Sequence, residues 1–213
     1  MKYLDEKKKI IELGKRLVDE RLTRGTGGNL SYFDHASGIM IITPSGIDYH
    51  QTKVEDLVIM DIDLNVIEGE RKPSSEYQMH LELYKRRPEF NAMIHTHSTF
   101  ATTLSVLNKP LLAVDYLVAM GGGKDVRIAE YASFGTIQLA NNALKAMTDR
   151  NAVLLANHGI NVASTDLEDA FSKLEILEFC CELYIRALSA GEPVILSDDE
   201  MLQIKKDFKT YGQ

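Results

Sequence analysis

Three short apolar runs dominate the first half of the chain: "GIMIIT" (38–43), "DLVIMDID" (56–63) and "FNAMIHTH" (90–97). Each is rich in β-branched or bulky residues and bounded by Gly, Pro, Asp or Asn, the pattern of a buried strand. They alternate with segments of helical period. Residues 5–23 place Ile10, Ile11, Leu13, Leu17, Val18 and Leu22 at near-helical spacing, and the pattern stops at the glycine-rich "TRGTGGNL". "SSEYQMHLELYKRRP" (74–88) predicts an amphipathic helix with serines at its start and a proline just past its end. Helices are also predicted over 98–108, 134–150 and 166–191, the last closed by Gly191, and the final helix opens at "SDDE" (197–200), a capping-box pattern. "AVLLANHGINVAS" (152–164) reads as strand–turn–strand. Helix and strand alternating without a linker predict a single α/β domain over 1–213, with helices flanking a sheet. Strand order is not readable from these patterns.

The length of 213 residues suits one sizeable core. A net charge of −7 opposes a nucleic-acid footprint, which needs a basic stripe to neutralise phosphates. "KKK" (7–9) and "KRR" (85–87) are short and lie in helical segments, so they read as solvated faces. No apolar stretch approaches the ~20 residues that span a bilayer, and "MKYLDEKKKI" has no signal-peptide core, so a cytoplasmic address and no membrane partner are expected. The two cysteines, Cys180 and Cys181, are adjacent in a helical pattern and read as reduced core thiols.

The chemistry concentrates in the histidines. In a strand, residues i and i+2 share a face, so His95 and His97 can reach one point above the sheet. HxH alone is a weak signal. His158, in "LLANHGI", again ends an apolar strand just before a glycine, and three neutral imidazoles with an open position suit a catalytic Zn²⁺. Mn²⁺, Fe²⁺ or Co²⁺ would also be accepted by such ligands. His35, His50 and His80 have no paired spacing, and surface or packing roles are expected for them.

Three small-residue loops, "GTGGNLS" (25–31), "TPSG" (43–46) and "KPSSE" (72–76), can let backbone N–H groups approach an anion. Ser74 and Ser75 would lie at the positive end of the following helix. Any one of these loops alone reads as an ordinary turn. Neither "GTGG" nor "GGGKD" (121–125) matches a dinucleotide or P-loop fingerprint. Glu76 stands between the two sets: a capping carboxylate, or, if its helix faces the histidines, a fourth metal ligand or general base.

Taken in order, "GTGGNLS", "ITPSGI", "KPSSE", "HTHS" and "NHGI" resemble the class II aldolase/adducin family, and the match runs from the first helix to the C-terminus. "VLN", "DYLVAMGGG", "YASFGT" and the tail "LSDDEMLQIKKDFKTYG" fit best the bacterial members acting on L-fuculose 1-phosphate. The resemblance implies a three-layer fold with a central, mainly antiparallel sheet. It implies a cyclic homotetramer with its sites at subunit boundaries, and one Zn²⁺ per subunit held by His95, His97 and His158. Glu76 would ligate the metal without substrate and act as base with it. Gly28, Asn29, Ser45, Gly46, Ser74 and Ser75 match the phosphate pocket. Tyr116 matches a proton donor supplied by the neighbouring subunit, and Tyr211 a tyrosine of a mobile C-terminal tail spanning about 205–213. Three positions depart from the family pattern: Gly27 where alanine is expected, Asn157 where histidine is expected, and Asp115 where histidine is expected.

The implied reaction is reversible cleavage of a ketose 1-phosphate, foremost L-fuculose 1-phosphate, to dihydroxyacetone phosphate and L-lactaldehyde. In the condensation direction Glu76 would take a proton from carbon and Tyr116 would protonate the new C4 alkoxide. Related members act as L-rhamnulose-1-phosphate aldolases, L-ribulose-5-phosphate 4-epimerases, dehydratases or decarboxylases, and adducin-like modules are not enzymes. A Schiff-base aldolase would instead need a lysine, with Lys53, Lys72 and Lys124 as candidates.

Overall fold

The computed structural model describes residues 3–208. In chain order the elements are α1 (Leu4–Asp19), β1 (Asn29–Asp34), β2 (Ile39–Ile42), β3 (Val58–Asp61), β4 (Val66–Glu68), α2 (Tyr77–Arg86), β5 (Ala92–Thr96), α3 (Thr99–Val106), β6 (Ile128–Ala129), α4 (Ile137–Ala146), β7 (Ala152–Leu155), β8 (Gly159–Ser164), α5 (Leu167–Ala190) and α6 (Asp198–Asp207). The eight strands form one sheet in the order β4-β3-β2-β1-β5-β8-β7-β6. Every neighbouring pair is antiparallel except β6 with β7.

Helices cover both faces, which is why the strands read as continuous rather than alternating apolar runs. Successive residues of a strand point to opposite faces, and here each face meets its own core. Ile41 and Ile94 pack with Leu13 and Leu17 of α1, Leu104 of α3, and Phe171 and Leu174 of α5. Met40, Ile42 and Met93 pack with Met79, Leu83 and Tyr84 of α2 and Leu139 and Ala143 of α4. The result is the expected mixed α/β domain with a mainly antiparallel sheet. Among the described residues, no helix is long and apolar enough to cross a membrane.

The predicted helices lie where their periodicity put them, with shorter ends. α2 starts at Tyr77 rather than at the serines. α6 carries the serine half of its cap, Ser197 Oγ accepting from Glu200 N–H at 3.3 Å. Cys180 and Cys181 are buried free thiols, and burial pushes Cys180 up to about 12. The strands β1, β4 and β6 had no sequence signal. β1 matters most: "GTGGNLS" is a loop only as far as Gly28, and Asn29–Ser31 begin a strand beside β5. Its polar residues mask it because Asn29 and Ser31 bond to groups on α2 instead of facing water.

Candidate active site and metal centre

β5 delivers the first two histidines. His95 lies in the strand, fully buried, and His97 follows its last residue on the same face. His158 sits in the turn between β7 and β8, closed by its own N–H donating to Leu155 O at 3.0 Å, with Asn157 in the left-handed region at φ 54°. Ile160 then pairs with Thr96, bringing the start of β8 against the end of β5. Only glycine fits at 159, because a Cβ there would lie 2.2 Å from Thr96 O. His158 thus reaches ring-centroid separations of 4.7 Å from His95 and 5.1 Å from His97. One ligand nitrogen from each of the three lies within 4.8 Å of the others.

Glu76 occupies the N-cap position of α2 but makes no capping hydrogen bond. Its carboxylate turns into the centre, with Oε2 3.1 Å from His95 Nε2 and Oε1 3.5 Å from His158 Nε2. That overturns the purely capping alternative for this residue.

The protonation states are set by burial and neighbours. His95 Nδ1–H donates to Asn161 Oδ1 at 2.8 Å and Ile160 O at 3.1 Å, which leaves the Nε2 lone pair facing the centre. Burial, and then the adjacent His97, hold His95 down at about 3. Burial likewise lowers His158 to about 4, aided by His95, and it lowers His97. All three are neutral imidazoles near pH 7, the form that ligates metal. His95 Nε2 and His97 Nε2 are 3.0 Å apart, and Glu76 Oε1 is buried without a hydrogen-bond partner. Acceptors converge there with too few donors between them, which fits a cation at this point, and the His₃–carboxylate set fits Zn²⁺ or a similar divalent metal.

A cavity of about 340 Å³ opens onto this centre. It is lined by Glu76, His97 and His158 together with all six residues expected in the phosphate pocket: Gly28, Asn29, Ser45, Gly46, Ser74 and Ser75. Two of the loops are clamped to each other, Ser45 N–H donating to Lys72 O and Ser74 N–H to Thr43 O, both at 3.0 Å. The remaining wall includes Tyr131, Ala132 and Phe134, an apolar rim that motif reading did not connect to the site. Lys53, Lys72 and Lys124 are exposed and none lines the cavity.

Tyr116 opens a short 3₁₀ turn, exposed and next to Phe208, and does not line the cavity of its own chain. Tyr211 lies outside the described residues, and of the expected tail only 205–208 are described, where Lys205 bonds to Gly122 O.

Three functional neighbours escaped the sequence reading. Asn161 sets the tautomer of His95. Glu178 of α5 caps α3 from a distance, accepting from Ser98 Oγ at 2.7 Å, Phe100 N–H at 2.7 Å and Ala101 N–H at 2.9 Å, and so anchors the residue next to His97. His80, expected at the surface or in plain packing, is fully buried and bonds to Asn29 and Ser31. Its one available signal was the Glu76–His80 spacing of i, i+4, which places both on one helix face.

Residues 8–185 match the model of the class II aldolase and adducin N-terminal domain. A 5-deoxy-D-ribulose 1-phosphate aldolase of Bacillus thuringiensis serovar kurstaki is 48% identical over 208 residues, covering 98% of this chain and 97% of the relative. An L-fuculose phosphate aldolase of Escherichia coli K12 is 35% identical, covering 96% of this chain and 94% of the relative. A solved structure described as L-fuculose 1-phosphate aldolase superposes with a TM-score of 0.96 at 52% identity, covering 98% of each chain.

Proposed function

The chain belongs to the class II aldolase and adducin family, and from that footing we propose that it is a metal-dependent aldolase cleaving the 1-phosphate of a short ketose with a terminal methyl group. The observation that carries this is a cavity lined by His97, His158, Glu76, the small-residue loops and an apolar rim, with His95 buried directly behind the two lining histidines. L-Fuculose 1-phosphate is the first substrate proposed, giving dihydroxyacetone phosphate and L-lactaldehyde. A second reading is favoured by the 48% identical relative, whose name specifies 5-deoxy-D-ribulose 1-phosphate. The two substrates share the phosphate end and the terminal methyl and differ by one carbinol, so the same pocket can serve both.

His95, His97, His158 and, without substrate, Glu76 would hold the metal, which supplies Lewis-acid polarisation of the ketose oxygens when bound. Phosphate oxygens are received by Asn29 Nδ2, the hydroxyls of Ser45, Ser74 and Ser75, and the backbone at Gly28 and Gly46. Holding that remote end converts its binding energy into alignment of the reacting carbons. In cleavage the C4 hydroxyl loses its proton to Tyr116 of a neighbouring copy, and the C3–C4 bond breaks. The electron pair stays with the three-carbon fragment, and Glu76 returns a proton to C3. Each step runs backward in condensation. The exposed Tyr116 supports a homo-oligomer, proposed as a cyclic tetramer whose sites lie at subunit boundaries. The tail bearing Tyr211 is proposed to close over the substrate.

The test is release of dihydroxyacetone phosphate from L-fuculose 1-phosphate, 5-deoxy-D-ribulose 1-phosphate and L-rhamnulose 1-phosphate, with chelator and with restored Zn²⁺. Zinc-restored release from the first two is expected. No release from any of them by metal-loaded protein overturns the aldolase reading and leaves epimerisation, dehydration or decarboxylation. Glu76→Gln is expected to cost roughly 10²–10⁴-fold in kcat.

A further inference from the structure

A one-way chain of hydrogen bonds runs from the core of α2 to Glu76. Asn29 Nδ2 donates to Glu76 Oε2 at 3.0 Å, which turns Asn29 Oδ1 toward α2. His80 Nε2–H donates to that oxygen at 2.5 Å. His80 Nδ1 is then the acceptor for the Ser31 hydroxyl at 2.6 Å, and Ser31 Oγ in turn accepts from the Tyr84 hydroxyl at 2.6 Å. Asn29, Ser31, Glu76, His80 and Tyr84 are each at most 5% exposed. The Tyr84 hydroxyl also reaches Ser31 O at 3.2 Å, so the direction is set from the other end: a carboxylate only accepts, and Glu76 thereby fixes each bond back through Asn29 and His80 to Ser31.

The orientation of Asn29 is what this chain decides. A carboxamide presents a donor or an acceptor depending on which way it faces, and the two orientations have the same shape. Turned the other way, its oxygen would face the Glu76 carboxylate and the cavity, repelling both that anion and a phosphate. As held here, one Nδ2 hydrogen secures Glu76, while the second has no partner among the described residues and Asn29 lines the cavity.

We propose that His80 is a positioning residue: by holding Asn29 Oδ1 it presents the Asn29 amide donors to Glu76 and to the substrate phosphate at once, so that phosphate recognition and base placement depend on one buried imidazole. The inference rests on Glu76 as base and Asn29 as phosphate ligand.

The experiment uses the metal-loaded full chain as wild type, His80→Phe, His80→Gln, Asn29→Ala and the double variant His80→Phe/Asn29→Ala. Inorganic phosphate affinity is read by calorimetry, kcat and KM by dihydroxyacetone phosphate release, and metal content by elemental analysis. Removing a donor from a buried, paired amide predicts about 10-fold weaker phosphate binding and roughly 10- to 100-fold lower kcat in His80→Phe, with bound metal as in wild type. His80→Gln keeps a donor and is expected within about threefold of wild-type phosphate affinity. In the Asn29→Ala background His80→Phe is expected to add nothing, since its effect passes through that amide. Wild-type phosphate affinity in His80→Phe, or losses that add in the double variant, overturns the proposal. If His80→Phe does not fold, His80→Met against His80→Gln decides it, because only glutamine keeps the donor. Should wild type cleave no ketose phosphate, the aldolase reading falls, while the phosphate-affinity arm still decides the role of His80.

Discussion

Asn161 Oδ1 accepts the Nδ1–H of His95 at 2.8 Å across the β5–β8 pair, and Asn29 faces His95 from the other side across β1–β5. One row of three strands therefore holds the candidate metal-binding imidazole of His95 between two amides. One fixes its tautomer and the other holds the carboxylate beside it. Outer partners of this kind govern ligand basicity and ring orientation.

Asn161→Leu keeps the volume and removes the acceptor, so it is expected to weaken metal binding about 10- to 100-fold with the fold intact. Competition against a chromophoric chelator, alongside circular dichroism, measures it. Unchanged affinity would show that Ile160 O alone orients the ring.

Glu178→Ala strips the distant cap from α3 and leaves buried donors without partners. A loss of about 1–3 kcal/mol is expected from the urea midpoint. Metal affinity should fall with it, because the capped Ser98 is the residue next to His97. A stability loss with no change in metal binding would confine Glu178 to holding the helix.

Gly28 has φ of +77°, and a Cβ on it would lie 2.6 Å from His95 O. Gly28→Ala therefore strains the backbone and pushes β1 away from β5 at His95. A destabilisation of roughly 1–3 kcal/mol and weaker metal retention are expected, read by thermal melts with and without Zn²⁺.

Acid should destabilise the chelator-stripped protein well above the carboxylate range. Burial holds His80 and His95 at about 3 and His158 at about 4, against about 6.5 when unfolded. Above pH 6.5 both states are neutral at these sites. As pH falls from 6.5 toward 4 the unfolded chain takes up protons that the folded chain refuses, so stability falls by roughly 1.4 kcal/mol per pH unit for each fully buried histidine. Urea midpoints at pH 7, 6 and 5 check the slope, and His80→Gln should remove one histidine's share of it. A slope unaffected by that substitution would contradict a neutral, buried His80.

Local periodicity alone was enough to place most of the fold. Strand alternation, with a period of two, put His95 and His97 on one face before any tertiary contact was known, and apolar spacing located α1, α2, α4 and α5 to within a few residues. The ordered motifs identified the family. Those signals are legible because they are written between residues close in the chain, where backbone geometry fixes which side chains share a face. What only the tertiary structure decided is everything that depends on which strand lies beside which. The order that sets β5 between β1 and β8 makes neighbours of Asn29, His95 and Asn161. The approach of Gly159 to Thr96 swings His158 onto the other two histidines, and the packing of α2 on the sheet turns Glu76 inward and seals His80 beneath it. β1 itself was hidden, since its Asn29 and Ser31 are polar for the sake of partners on a helix about fifty residues away. No local pattern encodes such a pairing, because its free energy comes from groups that meet only once the chain has folded.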